Sequence, residues 1–323
     1  MIESRSYKDP SHGKLDAMVP LIARDYDRFE LMAETLVQNF VDLGICWVVV
    51  PDREYKELRR LIAIPKFTLV TESELVPELA TYRKLPFYGR RITGWYIQQL
   101  LKLAIAGHIR TDFYLVIDAD VLCLRRVTRN DLIRNGRAIV KYTEENIHRE
   151  WYENNSIEKL LGCPRPTRRV HGVTPALFSK EAVLALQAFL ALRAQALLPK
   201  PLSLSLASPL RHVARLLSPG HGSDLLSSWR SLLLRKIPWT EYALYHWFLE
   251  SRGQHFANSY HRYAGDQVLY GPGSVFTPEA LPSWRIPPLT GDIYFVVANG
   301  NTGVPVSRVK SEIENTSWAA GAS

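Results

Sequence analysis

The first third of the chain alternates short apolar runs with segments of helical periodicity. Residues 17–23, 46–50 and 67–70 are apolar runs with the length of buried strands. Between them, residues 28–42 carry apolar side chains at helical spacing, and residues 53–61 form a more polar helical segment. Strands that alternate with helices in this way predict an α/β fold, with a mostly parallel, doubly wound, Rossmann-like sheet flanked by helices.

A fourth predicted strand ends in two carboxylates. Residues 112–120 read DFYLVIDAD, so Asp118 and Asp120 interrupt an apolar stretch that continues through residues 121–124. Burying two neighbouring carboxylates is costly unless a cation lies between them. Hard oxygen ligands suit Mg²⁺ or Mn²⁺, and such ions take further ligands from substrate phosphates. We therefore predict that Asp118 and Asp120 bind a divalent metal that holds a diphosphate.

The segment YLVIDADVL, at residues 114–122, resembles the DxD signature of nucleotide-sugar glycosyltransferases with the GT-A fold. Residues 94–106, 171–183 and 239–250 are similar to segments of a family of bacterial glycosyltransferases of unknown specificity, and the resemblance covers about residues 17–190 and 237–310. It implies a GT-A-like domain, a divalent metal and a nucleoside-diphosphate sugar donor, with UDP as the default nucleotide. The resemblance does not supply the exact donor or acceptor. We expect a glycan or lipid-linked acceptor, and a lipid-linked one would follow from membrane binding by residues 195–236.

Ligands of doubly wound sheets bind at the carboxyl ends of the strands, which locates the candidate donor contacts. In GT-A enzymes the loop after the first strand contacts the nucleobase. Gln99 and Lys102 lie within about one turn of the helix predicted over residues 92–106 and are candidates to face the nucleotide. Arginine forks suit phosphate oxygens. The remaining candidate donor contacts are Arg24, Asp25 and Asp27 after the first strand, Asp52 after the second, and Arg90 and Arg91 before the helix.

The later segments supply candidates for the acceptor side. The resemblance implies that residues 171–178 face the acceptor, where His171 and Thr174 are available for hydrogen bonds. Glu241 lies in the first turn of a helix predicted over residues 239–250 and is our first choice for the general base of an inverting transfer. An acid at this position also complements the helix dipole. The rival bases are Glu144, Glu145 and Glu250.

Charge and cysteine content set the cellular context. The 323 residues carry 40 Lys and Arg against 32 Asp and Glu, a formal net charge of +8, which favours phosphorylated small molecules, acidic membranes or nucleic acid as partners. The cysteines, Cys46, Cys123 and Cys163, are odd in number and widely spaced, which indicates free thiols in a reducing compartment. Neither a signal peptide nor an apolar stretch of about 18 residues is present, so we expect a cytoplasmic protein.

Residues 195–236 have the character of an insertion. They are rich in Leu and Ser, and two short basic amphipathic segments are predicted within them. Such segments bind anionic membranes, or they pack on the protein's own core or on a second copy. The expected organisation is a polar tail at 1–16, one catalytic domain at 17–310 with halves at 17–125 and 126–310, and a C-terminal tail at 311–323.

Four other functions compete with glycosyl transfer. A haloacid-dehalogenase-like phosphatase would use Asp118 as a nucleophile, but its motif normally follows the first strand. A non-catalytic sugar-nucleotide binder is consistent with the basic charge. Nucleic-acid binding is disfavoured because the Lys and Arg residues are dispersed among acids, and a dinucleotide oxidoreductase is disfavoured because no GxGxxG follows the first strand.

Overall fold

A computed structural model describes residues 13–84, 93–143, 155–164, 169–170, 174–196, 228–235, 239–264 and 268–320. The strands are β1 (Leu15–Pro20), β2 (Leu43–Val50), β3 (Phe67–Thr71), β4 (Phe113–Val116), β5 (Val121–Cys123), β6 (Ile133–Arg134), β7 (Arg137–Thr143), β8 (Arg169–Val170), β9 (Ala176–Ser179), β10 (Tyr260–Ala264), β11 (Val268–Tyr270) and β12 (Asp292–Val297).

The α-helices of the described residues flank these strands. They are α1 (Tyr26–Asn39), α2 (Tyr55–Leu61), α3 (Glu72–Leu75), α4 (Leu79–Lys84), α5 (Gly94–Ala104), α6 (Arg129–Leu132), α7 (Asn155–Leu161), α8 (Lys180–Ala196), α9 (Trp229–Arg235), α10 (Glu241–Ser251), α11 (Gln254–Ser259) and α12 (Val306–Ala320).

The main sheet has the strand order β3-β2-β1-β4-β9, and its first four strands are parallel. The chain moves outward from β1 to β3 and then returns to place β4 on the other side of β1. This reversal creates a crevice at the carboxyl ends of β1 and β4, where open α/β sheets bind their ligands. The mixed α/β architecture with a mostly parallel sheet confirms the predicted fold class.

Two antiparallel pairings fix what lies beside the acidic motif. Strand β9 pairs with β4 in a register that sets Ala176 opposite Val116, so position 174 falls beside position 118. Strand β5, which starts directly after Asp120, pairs with β12 and sets Val297 opposite Val121. The residues that follow β12 therefore meet Asp120. The remaining sheet joins β10 to β7 in parallel, with β6 and β8 antiparallel to β7.

A buried carboxylate ties β1 to its neighbours. The side chain of Asp16 accepts hydrogen bonds from the backbone N–H groups of Ile45, at 2.9 Å, and Arg110, at 2.8 Å. Gly44 packs directly against this carboxylate, and a Cβ atom added there would overlap an oxygen of Asp16. Position 44, near the start of β2, therefore requires glycine, because a larger side chain would overlap the Asp16 carboxylate.

Helix α10 is enclosed on all sides. Thr240 caps its start, because its hydroxyl accepts a hydrogen bond from the N–H of Ala243 at 3.1 Å. Every residue from Glu241 to Leu249 is buried. A helix surrounded in this way is part of the core and not a surface element. His246 lies within it among aromatic rings, and burial lowers its pKa to about 3.

Both predicted tails overlap ordered elements. Strand β1 begins at Leu15, inside the segment 1–16, because its side chains continue the buried face of the sheet. Helix α12 runs through Ala320, and Glu312 is buried within it, so residues 311–320 are helical and not a tail. Residues 1–12 and 321–323 lie outside the described residues.

The described part of the insertion packs inward. Helix α9 contacts α8 and α5, and Trp229, Leu232 and Leu233 are buried. Its basic residue Arg230 forms an ion pair with Glu78 at 3.1 Å. For residues 229–235 this supports packing on the protein's own core, because their apolar face is not available to a membrane. Residues 197–227 lie outside the described residues, and no helix of the described chain has the length and hydropathy to cross a bilayer.

Candidate active site

Asp118 is held from two sides at the end of β4. The Lys102 ammonium lies 2.9 Å from its Oδ1 atom, and the hydroxyl of Thr174 donates to its Oδ2 atom at 3.0 Å. Thr174 reaches this place because of the antiparallel register of β9, and Lys102 reaches it from α5. Both partners are buried, whereas the Asp118 side chain is 37% exposed. Asp118 is therefore oriented by the core and faces solvent at the crevice.

Lys102 connects Asp118 to a second carboxylate inside the protein. Its ammonium lies 3.0 Å from Oε1 of Glu241, and the side-chain amide of Gln99 lies against the same carboxylate. The ammonium is also 5.3 Å from the ring centre of Tyr242. Burial alone would lower the pKa of Lys102, but the charges of Asp118 and Glu241 raise it above its ordinary value. Lys102 is thus a buried cation shared by two acids.

Glu241 has no contact with solvent. Its relative exposure is 0%, and burial raises its pKa while the charge of Lys102 opposes that rise. A general base must lie within hydrogen-bond reach of the acceptor hydroxyl. The position of Glu241 inside α10 does not permit this, so the geometry argues against the predicted role as base. The side chain instead completes an interior ion pair.

Asp120 is held from the opposite direction by the loop after β12. The N–H of Gly300 donates to Oδ2 of Asp120 at 2.8 Å, and the N–H of Ala298 donates to its backbone oxygen at 3.0 Å. Burial and the charge of Asp118 raise the pKa of Asp120 to about 6. The hydrogen bond from Gly300 and the charge of Arg28 oppose this rise.

The two aspartates fit a divalent cation. Burial is the larger cause of the raised pKa of Asp120, and the charge of Asp118 adds to it; a bound cation would relieve both effects. Carboxylate oxygens match the preference of Mg²⁺ or Mn²⁺, which bind one or two protein carboxylates and fill the shell with phosphates and water. Among the described residues, no group of three or more His, Cys, Asp or Glu side chains is arranged around a metal position.

The family of the chain follows from its full-length match. The model of a family of unknown function, DUF6492, matches residues 12–319. The chain belongs to the DUF6492 family. A comparison with curated proteins gives no match.

Three solved structures are similar to this DUF6492 member over part of its length. The glycosyltransferase GlyE of Streptococcus pneumoniae TIGR4, in its apo form, has a TM-score of 0.25 and 11% identity and covers 42% of this chain. The bifunctional glycosyltransferase WbbM has a TM-score of 0.34 and 10% identity and covers 55%. The 4-diphosphocytidyl-2C-methyl-D-erythritol synthase of Anaerococcus prevotii has a TM-score of 0.30 and 12% identity and covers 54% of this chain.

These likenesses are too weak to carry an argument about function. The matched part spans 30% of GlyE, 34% of WbbM and 74% of the synthase.

The structure does not bring every predicted residue into the acidic site. Arg24 is exposed and lies 3.5 Å from Asp25, and Asp27 is also exposed. Asp52 accepts a hydrogen bond from the hydroxyl of Ser73 at the surface. These side chains follow β1 and β2 without contacting Asp118 or Asp120, and a nucleobase contact stays a prediction for them. Arg90, Arg91, His171, Glu144 and Glu145 lie outside the described residues.

Two residues of the site were not predicted from the sequence. Arg28 lies one position after the predicted Asp27, on the first turn of α1, and its charge acts on Asp120. Gly300 belongs to the turn-rich loop NGNTG at residues 299–303, whose composition predicts several N–H donors near the donor phosphates but not a hydrogen bond to Asp120. The rival base Glu250 is bound by Arg262 at 2.8 Å and by the hydroxyl of Tyr142.

Proposed function

We propose that this DUF6492 chain is a metal-dependent glycosyltransferase, which moves a sugar from a nucleoside-diphosphate sugar, with a UDP-sugar as the first choice, to an acceptor hydroxyl. The observation that carries the proposal is the pair Asp118 and Asp120 at the switch point of the sheet, each held by donors of the protein itself. The resemblance of YLVIDADVL to the DxD signature supports the same conclusion.

The charges of the site suit an anionic donor. Asp118, Asp120 and Glu241 contribute three negative charges, and Lys102 and Arg28 contribute two positive charges, which leaves one negative charge. Asp118 and Asp120 would hold the cation, which on binding neutralises the charge that develops on the diphosphate leaving group. A divalent ion changes the net charge of the site to positive, and a positive site attracts a diphosphate.

The protein's own residues keep this site in order. Thr174 and Lys102 orient Asp118, and Glu241 balances the charge of Lys102. During transfer the acceptor oxygen forms a bond to the anomeric carbon as the bond from that carbon to the diphosphate oxygen breaks, and the hydroxyl proton passes to solvent water. We assign no base, because Glu241 is enclosed. The prediction of inversion rested on Glu241, so the proposal does not include a stereochemical course.

The phosphatase alternative conflicts with the position of the acidic pair in the chain. The nucleophilic aspartate of a haloacid-dehalogenase-like phosphatase normally follows the first strand, whereas Asp118 follows β4. The position of Asp118 therefore favours a metal ligand over a nucleophile.

The proposal extends to the class of acceptor and to the cellular location of the enzyme. A glycan or lipid-linked acceptor would place the enzyme in cell-envelope or polysaccharide synthesis. The cytoplasmic location stays a prediction from the sequence, and so does a peripheral membrane contact through the insertion at residues 195–236, of which residues 197–227 lie outside the described residues.

Thermal unfolding in the presence of nucleotides tests the proposal. The protein is heated with UDP, GDP, CDP, ADP or TDP, with Mn²⁺ or with EDTA. A ligand at about 100 times its Kd stabilises the native state by about 2.7 kcal/mol. At roughly 2.1 cal/mol/K per residue, the 323-residue chain would show a rise in Tm of about 4 °C.

Variants connect that rise to the site. Asp120→Asn should abolish the Mn²⁺-dependent stabilisation and the hydrolysis of the matching nucleotide sugar. Glu34→Gln, at an exposed acid on α1, should change neither. Stabilisation that is equal in EDTA, or that no nucleotide produces, would contradict the proposal and favour another function.

A further inference from the structure

The loop between β12 and α12, residues 298–304, holds Asp120 through both its backbone and its side chain. The antiparallel register of β5 and β12 brings Ala298 beside Asp120, where its N–H donates to the backbone oxygen at 3.0 Å. Two residues later, the N–H of Gly300 donates to Oδ2 of the carboxylate at 2.8 Å. The position of this loop therefore sets the direction of the Asp120 side chain.

Arg28 joins the two ends of this loop. Its guanidinium donates to the carbonyl of Ala298 at 3.3 Å and to the carbonyl of Val304 at 2.5 Å. The five donors of an arginine in a fixed fork permit two such bonds from one side chain. These contacts connect the start of α1 to Ala298 and Val304, which lie 270 and 276 positions later in the chain.

Arg28 and Asp120 face the same side of Gly300. A Cβ built on Gly300 would lie 3.5 Å from Nε of Arg28 and 3.8 Å from Oδ2 of Asp120. The arginine is thus close enough to Asp120 for its charge to act on the carboxylate, while its hydrogen bonds go to the loop backbone. We call Arg28 together with Ala298, Gly300 and Val304 the Arg28 clasp.

We propose that Arg28 is a positioning residue for the metal site, because the Arg28 clasp holds one oxygen of Asp120 on Gly300 and so leaves the other oxygen directed toward the bound cation. This inference rests on the proposed function for its metal, although the clasp itself is a contact within the protein. Removal of groups that hold a metal ligand from outside typically weakens metal binding by about 10–100-fold. A similar weakening of metal binding is expected when Arg28 is replaced, although Asp118 and Asp120 themselves stay unchanged.

The loop has bonds of its own that should keep it folded without Arg28. The hydroxyl of Thr302 donates to the backbone oxygen of Asn299 at 2.6 Å, and the N–H of Asn301 donates to the side chain of Asn299 at 2.9 Å. Ala298 and Val304 are both buried in an apolar cluster that also contains Leu31 and Trp284. Loss of Arg28 should therefore loosen the attachment of the loop to Asp120 and not unfold it.

Titration of the full chain with Mn²⁺, with free Mn²⁺ measured by electron paramagnetic resonance, tests the inference. Arg28→Met should raise the Kd for Mn²⁺ about tenfold or more. Arg60→Met, at an exposed arginine on α2, is the matched control and should leave the Kd unchanged. A Kd for Arg28→Met within twofold of the wild-type value would overturn the inference.

A second variant addresses the same contact if Arg28→Met does not fold. Gly300→Pro removes the N–H that binds Asp120, at the first position of a short 3₁₀ turn where proline is tolerated. Asn299, with ψ of 123°, has the extended conformation that a following proline requires. Gly300→Pro should weaken Mn²⁺ binding to a similar extent, and wild-type affinity in this variant would overturn the role of Gly300.

A metal-free measurement separates this inference from the proposed function. In EDTA, the Tm shifts of Arg28→Met and Asp120→Asn should be non-additive in the double variant, because the two side chains are coupled through the loop. Additive shifts would overturn the clasp. If the wild-type protein binds no Mn²⁺ but the shifts are non-additive, the metal site and with it the proposed positioning role fail, while the contact between Arg28 and Asp120 stands.

Discussion

Replacing Lys102 by methionine would leave the Glu241 carboxylate without its cation in a place that water does not reach. Methionine has a similar length and adds no charge, so the change removes the ion pairs with Asp118 and Glu241 while the helix α5 keeps its packing. Breaking a buried ion pair by removing one partner typically costs about 3–5 kcal/mol. Asp118 contributes less to this cost, because its side chain is 37% exposed.

The cost should depend on pH in a defined direction. Without Lys102, burial raises the pKa of Glu241 further above its ordinary value of 4.5. Between pH 4.5 and this raised pKa the unfolded chain loses a proton that the folded protein keeps, so the free energy of unfolding falls by about 1.4 kcal/mol per pH unit. The deficit relative to wild type is therefore small near pH 5 and largest near pH 8.

Thermal and urea unfolding at pH 5 and pH 8 measure this deficit. With roughly 2.1 cal/mol/K of unfolding entropy per residue, a loss of about 3–5 kcal/mol lowers the Tm of the 323-residue chain by about 4–7 °C. The double variant Lys102→Met/Glu241→Gln removes the unpaired charge and should recover most of the loss at pH 8. A deficit under about 1 kcal/mol at pH 8, or a double variant as unstable as the single one, would refute the reasoning.

Two further predictions concern the core. His246 has a folded pKa of about 3 against an ordinary value of 6.5, so between these pH values it costs about 1.4 kcal/mol of stability for each pH unit of acidification. His246→Phe should remove that slope from urea unfolding measured between pH 7 and pH 4.5, and an unchanged slope would show that other groups cause it. Gly44→Ala should lower the Tm because its Cβ overlaps the buried Asp16 carboxylate, whereas Gly107→Ala, which has open space around it, should not; equal Tm values for the two variants would contradict the packing argument.

The parts of the fold that depend on local pattern were predictable. The apolar runs and helical spacing before residue 120 correspond to β1 through β4 and to α1, α2 and α5, with shifts of a few residues at their ends. Asp118 and Asp120 were predictable for the same reason, since two acids inside an apolar run stand out from the pattern. The cap residue Thr240 was also predictable, because capping depends on the next three residues alone.

The roles inside the site depended on contacts that no local pattern contains. Glu241 lies in the first turn of the helix predicted over residues 239–250, where a base facing the acceptor was expected, but other elements enclose this helix as far as Leu249. The burial of Glu241, and with it the argument against its role as a base, follows from that enclosure. Arg28 was missed because its hydrogen-bond partners are backbone carbonyls, which have no signature in the side-chain sequence.

The two aspartates are secured by unlike supports. Asp118 is attached to Lys102 and Thr174, which are buried in the interior, whereas Asp120 is attached to a loop whose residues 301 and 303 are exposed. The interior cannot rearrange without breaking the packing around α10, but the loop can shift with the loss of a few backbone hydrogen bonds. Substitutions that displace Asp118 must therefore disturb the packed interior and should lower stability, whereas substitutions at residues 298–304 should displace Asp120 at a smaller cost in stability.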